Sequence, residues 1–269
     1  MIELASVRNL IIDMDGVLWL GNSPMPGLPE FIATLRSLGI RFILATNNAS
    51  RSGDEYIQKL AGFNTPINHA EILTSPQATA MYLSQHAPDA RIYTIGEPGL
   101  TSELRERGLT VVPQDQPAGA THVVVGWDLN LTYAKLVEAC LLIRAGAAFI
   151  GTNPDVTYPD ARGIIPGNGA TLALLRVATD VEPIIIGKPQ PEMMVQSMLR
   201  LGSTPENTAV LGDRLNTDIL GGKNAGLTTM LVLSGITTRE ELATDPIKPD
   251  YVFDDIRDVA RQLTNIHAH

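Results

Sequence analysis

Short apolar runs alternate, along almost the whole chain, with stretches whose apolar residues recur every three or four positions. Leu10-Ile11-Ile12 runs directly into Asp13-Met14-Asp15-Gly16-Val17. An apolar run this short, ended by Asp and Gly, predicts a buried strand that stops at a turn. Phe31, Ile32, Leu35 and Leu38 then repeat with helical period and end at Gly39, a C-terminal helix signal. Arg41-Phe42-Ile43-Leu44-Ala45 predicts a second strand, leading into the polar cluster Thr46-Asn47-Asn48-Ala49-Ser50, and a helix fits 54–60 before Gly62.

The same grammar returns late in the chain. Pro183-Ile184-Ile185-Ile186 leads into Gly187-Lys188-Pro189, a helix fits 191–201 with Gly202 as its stop, and Ala209-Val210-Leu211 leads into Gly212-Asp213. Met230-Leu231-Val232-Leu233 predicts a last strand, and Ile256, Val259, Ala260 and Leu263 mark an amphipathic helix. The middle of the chain also alternates, with strands at 92–95, 123–126 and 149–151 and helices near 100–107 and 132–145. Strands and helices in strict alternation argue for an α/β fold with a Rossmann-like parallel sheet. Polar groups would then end four strands: Asp13 with Asp15, Thr46, Lys188 and Asp213. In open α/β sheets, that edge is where ligands bind.

Composition narrows the partners. With 269 residues and 44% hydrophobic content, the chain can bury a substantial core. A formal net charge of -9 disfavours nucleic acid or an anionic membrane face, whereas a metal ion and one lysine can reverse the field locally for a small anion. The one cysteine, Cys140, lies in a helical stretch and reads as a small packing residue. No intrachain disulfide is possible, so a reducing, cytoplasmic setting is the natural reading. The Met1-Ile2-Glu3-Leu4 start lacks signal-peptide character, and no apolar stretch has the length of a membrane span.

Each motif taken alone stays open. Asp13-x-Asp15 suits a solvated turn, a glycosyltransferase-type metal site, or a nucleophile with its acid/base partner. Thr46-Asn47-Asn48 suits a turn or helix cap. Lys188 suits a surface turn as well as a site, and either Asp213 or Asp218 suits a helix cap. His69, His86, His122, His267 and His269 lack metal-ligand spacing, and the terminal pair reads as disordered. Trp19 and Trp127 read as packing residues. No Gly-x-Gly-x-x-Gly or Walker-type sequence is present to bind a nucleotide cofactor.

Together and in this order, the motifs resemble the four motifs of the haloacid dehalogenase superfamily of phosphohydrolases. Asp13-Met14-Asp15-Gly16-Val17-Leu18-Trp19, Thr46-Asn47-Asn48 and Gly187-Lys188-Pro189-Gln190-Pro191 are similar to its NagD-type, 4-nitrophenylphosphatase-like subfamily. The resemblance spans essentially the whole chain. It implies a HAD-like catalytic core formed by residues 1–82 and 183–269, with a C2-type α/β cap domain inserted at 83–182.

The resemblance also implies roles, which match what phosphoryl transfer needs: an in-line nucleophile, charge neutralisation and a proton for the leaving group. Asp13 would be the nucleophile, forming an aspartyl-phosphate, and Asp15 the acid/base. Mg²⁺ would be held by Asp13, Asp213 and the backbone carbonyl of Asp15, with Asp218 behind it, orienting water or Lys188. Thr46, the Asn47 amide and Lys188 would bind the phosphoryl oxygens, with Asn48 beside them. Asn153, Asp155 and Tyr158, in a turn-rich loop at 151–160, would read the leaving group, although a plain surface loop fits the same residues. The implied activity is a Mg²⁺-dependent phosphatase of small phosphorylated metabolites. A phosphotransferase or mutase on the same core, and a non-catalytic phosphometabolite-binding protein, are the alternatives. Relatives often pair through the cap, which leaves a homodimer open.

Overall fold

A computed structural model describes residues 3–49, 51–160 and 162–267. Met1 and Ile2, Ser50, and His269 of the terminal pair lie outside the described residues.

The chain forms two compact units. The first comprises Met1–Thr46, Gly53–Leu73 and Lys188–His269, and the second Asn47–Ser52 and Thr74–Gly187. In the first unit, a six-stranded sheet has the order Tyr251–Phe253, Thr228–Val232, Thr208–Gly212, Asn9–Ile12, Arg41–Thr46, Ile72–Thr74. The pairings from Arg41–Thr46 through to Tyr251–Phe253 are parallel. From the Asn9–Ile12 strand the chain builds first to one side and later to the other, so this strand flanks a topological switch point. Asn9–Ile12 is buried at every position, as a strand covered on both faces must be.

Register brings three strand ends level. Ile12 lies beside Leu44 on one side and Leu211 on the other, and the Asp13 amide still donates to the Leu211 carbonyl at 2.8 Å. Asp13, Ala45-Thr46 and Gly212-Asp213 therefore leave three adjacent strands at the same edge. The helix Leu28–Ser37 buries Leu28, Phe31, Ile32 and Leu35, and Ile256–His267 buries Ile256, Val259 and Leu263. These residues join Leu10, Ile12, Leu44 and Leu211 in one core. Each such side chain contributes roughly 1.5–3 kcal/mol on burial.

The second unit has its own five-stranded sheet, in the order Ile184–Ile185, Ala148–Gly151, His122–Val125, Arg91–Ile95, Thr110–Val111, with parallel pairings. Its separate core includes Tyr93, Val123, Phe149, Ile143 and Leu175. Three expectations change here. The strand before Lys188 pairs with Ala148–Gly151 in this sheet rather than joining the sheet that carries Asp13. Residues 157–160, expected within a loop, pair antiparallel with Gly163–Pro166 as a hairpin. Finally, His267 is not disordered: it ends the last helix, its Nδ1 is 2.9 Å from the Leu263 carbonyl and its Nε2 is 3.1 Å from Arg8. Among the described residues, no helix is long and apolar enough to cross a membrane.

Candidate active site

The edge of the first sheet gathers four charged side chains. Lys188 is almost fully buried, and its Nζ donates to Asp13 Oδ1, to Asp218 Oδ1 at 2.7 Å and to the Ala45 carbonyl at 3.3 Å. The peptide bond from Lys188 to Pro189 is cis. Asp13, Asp213 and Asp218 each bring a carboxylate oxygen within 4.8 Å of the others. Three carboxylates thus crowd together, and two of them share one ammonium.

Local structure explains how each acid is held. Asp218 sits in a single π-helical turn, Leu215–Ile219, a geometry that recurs at functional sites. Its second oxygen accepts from the Arg214 amide at 3.1 Å, so both of its oxygens are engaged. A Cβ at Gly212 would lie 2.1 Å from that of Asp218, so the strand end must be glycine for this approach. Asp213 Oδ2 accepts from the Ile236 amide at 2.8 Å. Among the described residues, Asp213 Oδ1 is buried with no hydrogen-bond partner, which is costly unless something else satisfies it.

Burial makes this excess negative charge more costly. It pushes the Asp13 carboxyl well above the usual range; Lys188 opposes the shift, while Asp218 and Asp213 add to it. Burial, together with Asp218, pushes Asp213 up to about 6, against the pull of the Ile236 amide. Burial also disfavours the Lys188 cation, but Asp13 and Asp218 outweigh it and keep the ammonium charged. An arrangement of this sign accepts a further cation readily.

Asp15 is exposed on the turn after Asp13, and its Oδ1 accepts from Trp19 Nε1 at 2.7 Å. Thr46 ends its strand buried, one residue beyond the Ala45 carbonyl that Lys188 engages. The first unit therefore brings together Asp13, Asp213, Asp218 and Lys188.

The remaining expected residues lie in the second unit. Asn153 is buried; its Nδ2 donates to the Asn47 carbonyl at 3.0 Å, and its Oδ1 accepts from the Asp155 amide at 3.2 Å. Asn47 Nδ2 donates to Asp155 Oδ1 at 3.4 Å. Asn48 is half-buried beside Asn47. Tyr158 stacks on Trp127, with ring centroids 4.6 Å apart. Asn47, Asn153 and Asp155 thus form one bonded group, and Tyr158 stands in the neighbouring hairpin.

Sequence reasoning missed residues 234–236. Besides the Ile236 amide, Ser234 Oγ donates to the Gly16 carbonyl at 3.0 Å, and a Cβ at Gly235 would lie 2.0 Å from Asp213 Oδ2. Gly16 closes in on the same oxygen from the other loop with φ +86°. The only trace in the sequence is a Ser-Gly after the last strongly apolar strand. Trp19 is buried as a packing residue should be, but its indole N–H is also a ligand of Asp15.

A carboxylate at a strand end, a buried lysine and two further acids thus meet at the switch point of a parallel sheet, the place where open α/β folds bind their ligands. The chain matches the family model for haloacid dehalogenase-like hydrolases over residues 10–110 and a related HAD-hydrolase-like model over 185–259. It is 38% identical over 253 residues to the 5'-nucleotidase YutF of Bacillus subtilis, covering 94% of this chain and 97% of that one. It is also 38% identical to an acid sugar phosphatase of Staphylococcus aureus, covering 94% and 96%. The 4-nitrophenylphosphatase structure from Thermotoga maritima superposes with a TM-score of 0.89 at 35% identity, over 96% of this chain and 98% of that one. The p-nitrophenyl phosphatase of Archaeoglobus fulgidus gives 0.89 at 35%, over 95% and 99%. This protein belongs to the haloacid dehalogenase-like hydrolases and, within them, to the NagD-type phosphatases.

Proposed function

We propose that the protein is a Mg²⁺-dependent phosphomonoesterase of small phosphorylated metabolites, working through an aspartyl-phosphate on Asp13. The observation that carries this reading is the bridge from Lys188 to Asp13 and Asp218 beside the unpartnered Asp213 Oδ1. Asp13 attacks phosphorus as the ester bond breaks, and Asp15 gives the departing oxygen its proton. Asp15, now ionised, takes a proton from the water that cleaves the aspartyl-phosphate. Lys188 holds Asp13 in place and presents positive charge to the phosphoryl oxygens, and Thr46 with the Asn47 amide hydrogen-bonds them.

The donor set suits Mg²⁺: it consists of oxygens only, and one of them, on Asp213, is buried and unsatisfied. Asp13, Asp213 and the Asp15 carbonyl would hold the ion. When bound, it neutralises charge on the phosphoryl group. Asp218 has both oxygens occupied by Lys188 and the Arg214 amide, which supports a positioning role for it.

The names of the relatives point to nucleotides, sugar phosphates and aryl phosphates as classes to screen. Residues 83–182 are read as the cap, with Asn153, Asp155 and Tyr158 addressing the leaving group. A cytoplasmic location is supported by the single cysteine. Pairing of two copies is supported by the exposed apolar residues Tyr133, Val137 and Leu141 on one cap helix. The deciding experiment is phosphate release from these esters with and without Mg²⁺, in the native protein and in Asp13→Asn. Turnover that survives the substitution removes Asp13 as nucleophile. Binding without turnover on every ester favours the non-catalytic reading, and transfer to an added alcohol in preference to water favours a phosphotransferase.

A further inference from the structure

Asp15 is exposed, yet one of its two oxygens is tied to a fully buried side chain. Trp19 Nε1 donates to Asp15 Oδ1 at 2.7 Å, and Asp15 makes no other side-chain hydrogen bond among the described residues. The turn between them forces the contact. The Leu18 amide returns to the Met14 carbonyl at 2.8 Å and the Gly16 amide to the Trp19 carbonyl at 2.8 Å, which folds residue 19 back over residue 15.

The indole is held on several sides. Tyr56 stacks against it with centroids 6.2 Å apart, and Phe63 tilts against it at 6.2 Å. Lys59 Nζ lies 4.1 Å from the ring centroid while donating to the Gly21 carbonyl at 2.9 Å. A cation over the ring draws electron density from it and strengthens the N–H as a donor.

An indole N–H donates and never accepts. An oxygen that receives it is the poorer place for a proton, so the two oxygens of Asp15 cease to be equivalent. We infer that Trp19 is a positioning residue for the proposed acid/base Asp15: it fixes the carboxyl rotamer and confines the transferable proton to Oδ2. In the first half-reaction the bond from Asp13 to phosphorus forms, the bond from phosphorus to the leaving oxygen breaks, and the proton passes from Asp15 Oδ2 to that oxygen. Asp15 is left as a carboxylate whose Oδ1 stays bonded to the indole. The inference rests on the phosphatase reading above, in which Asp15 carries the proton.

The test is leaving-group sensitivity. 4-Nitrophenolate departs with little protonation, whereas a primary alkoxide requires a proton. Values of kcat/KM for 4-nitrophenyl phosphate and for glycerol phosphate are measured in the native protein, in Trp19→Phe, in a variant with benzothienylalanine at position 19, which keeps the ring shape without the N–H, and in Asp15→Asn as reference. Losing a hydrogen bond to a charged group predicts a fall of about tenfold or more in the alkyl-to-aryl ratio for both position-19 variants. A ratio unchanged in the folded benzothienylalanine variant, or equal losses on both substrates, overturns the inference. If Asp15→Asn itself leaves the ratio unchanged, Asp15 is not the proton carrier, and that reading falls together with the role of Trp19. A lowered ratio in Asp15→Asn alone leaves Asp15 in place and removes Trp19.

Discussion

Lys188 and Asp218 form a buried ion pair at 2.7 Å, and the other oxygen of the same carboxylate is held by a backbone amide. Asp218 is therefore fixed independently of Lys188 and can aim the ammonium at Asp13. Its removal leaves Lys188 with one carboxylate and frees the Arg214 amide. Asp218→Ala is expected to lower unfolding stability by about 3 kcal/mol, measured by urea denaturation. A loss below about 1 kcal/mol would show that Asp13 alone satisfies the lysine.

Lys188→Met removes the cation that bridges Asp13 and Asp218. In the proposed reaction the charge lost is one that faces the transferring group, so kcat on 4-nitrophenyl phosphate is expected to fall by about 10²–10³-fold at saturating Mg²⁺. Steady-state kinetics over a Mg²⁺ series checks this, and full recovery at high Mg²⁺ would assign Lys188 only a neutralising role.

Mg²⁺ itself should act as a folding ligand. At a concentration about 100 times its dissociation constant, it is expected to stabilise the native protein by about 2.7 kcal/mol. Thermal melts with Mg²⁺ and with chelator read this directly. Asp213→Asn should abolish the difference, because its Oδ1 is buried without a hydrogen-bond partner among the described residues.

Gly235→Ala should resemble Asp213→Asn more than a loop substitution. The added Cβ would lie 2.0 Å from Asp213 Oδ2, whereas Gly62 has nothing within 4 Å of its Cβ position and no left-handed φ. Gly62→Ala is expected to change stability by about 1 kcal/mol or less and to leave turnover intact. Gly235→Ala should weaken Mg²⁺ activation severalfold or more, measured as the half-activating concentration.

Leu263 is fully buried on the last helix. Leu263→Ala is expected to cost about 2–5 kcal/mol of stability with kcat unchanged, because it empties core volume on a helix that carries none of the charged site residues. Denaturation and kinetics on one preparation check both halves.

Periodicity made the central sheet legible. The Leu10-Ile11-Ile12 and Ala209-Val210-Leu211 runs are apolar because neighbours cover both faces, and the Asp and Gly that end them are visible as breaks. The site could be read from those breaks, since acids placed at strand ends need only register to converge. What escaped was pairing. Ile184–Ile185 has only two paired residues, and nothing in a short apolar run says which of two sheets it joins. The Thr157–Asp160 hairpin carries Pro and Asp and so read as loop. The Ile236 amide was invisible in principle, because a backbone donor has no residue type.

The Asn47–Ser52 stretch belongs with Thr74–Gly187, although it comes directly after the strand that ends at Thr46. Exchanging the second unit between relatives is therefore not a one-piece graft. A chimera that imports only residues 74–187 would inherit an Asn153 evolved to hold a different chain's 47 carbonyl, while the recipient keeps its own. Two segments have to travel together, and library designs that treat the insertion as a single cassette would misattribute the resulting defects to the chemistry of the recipient.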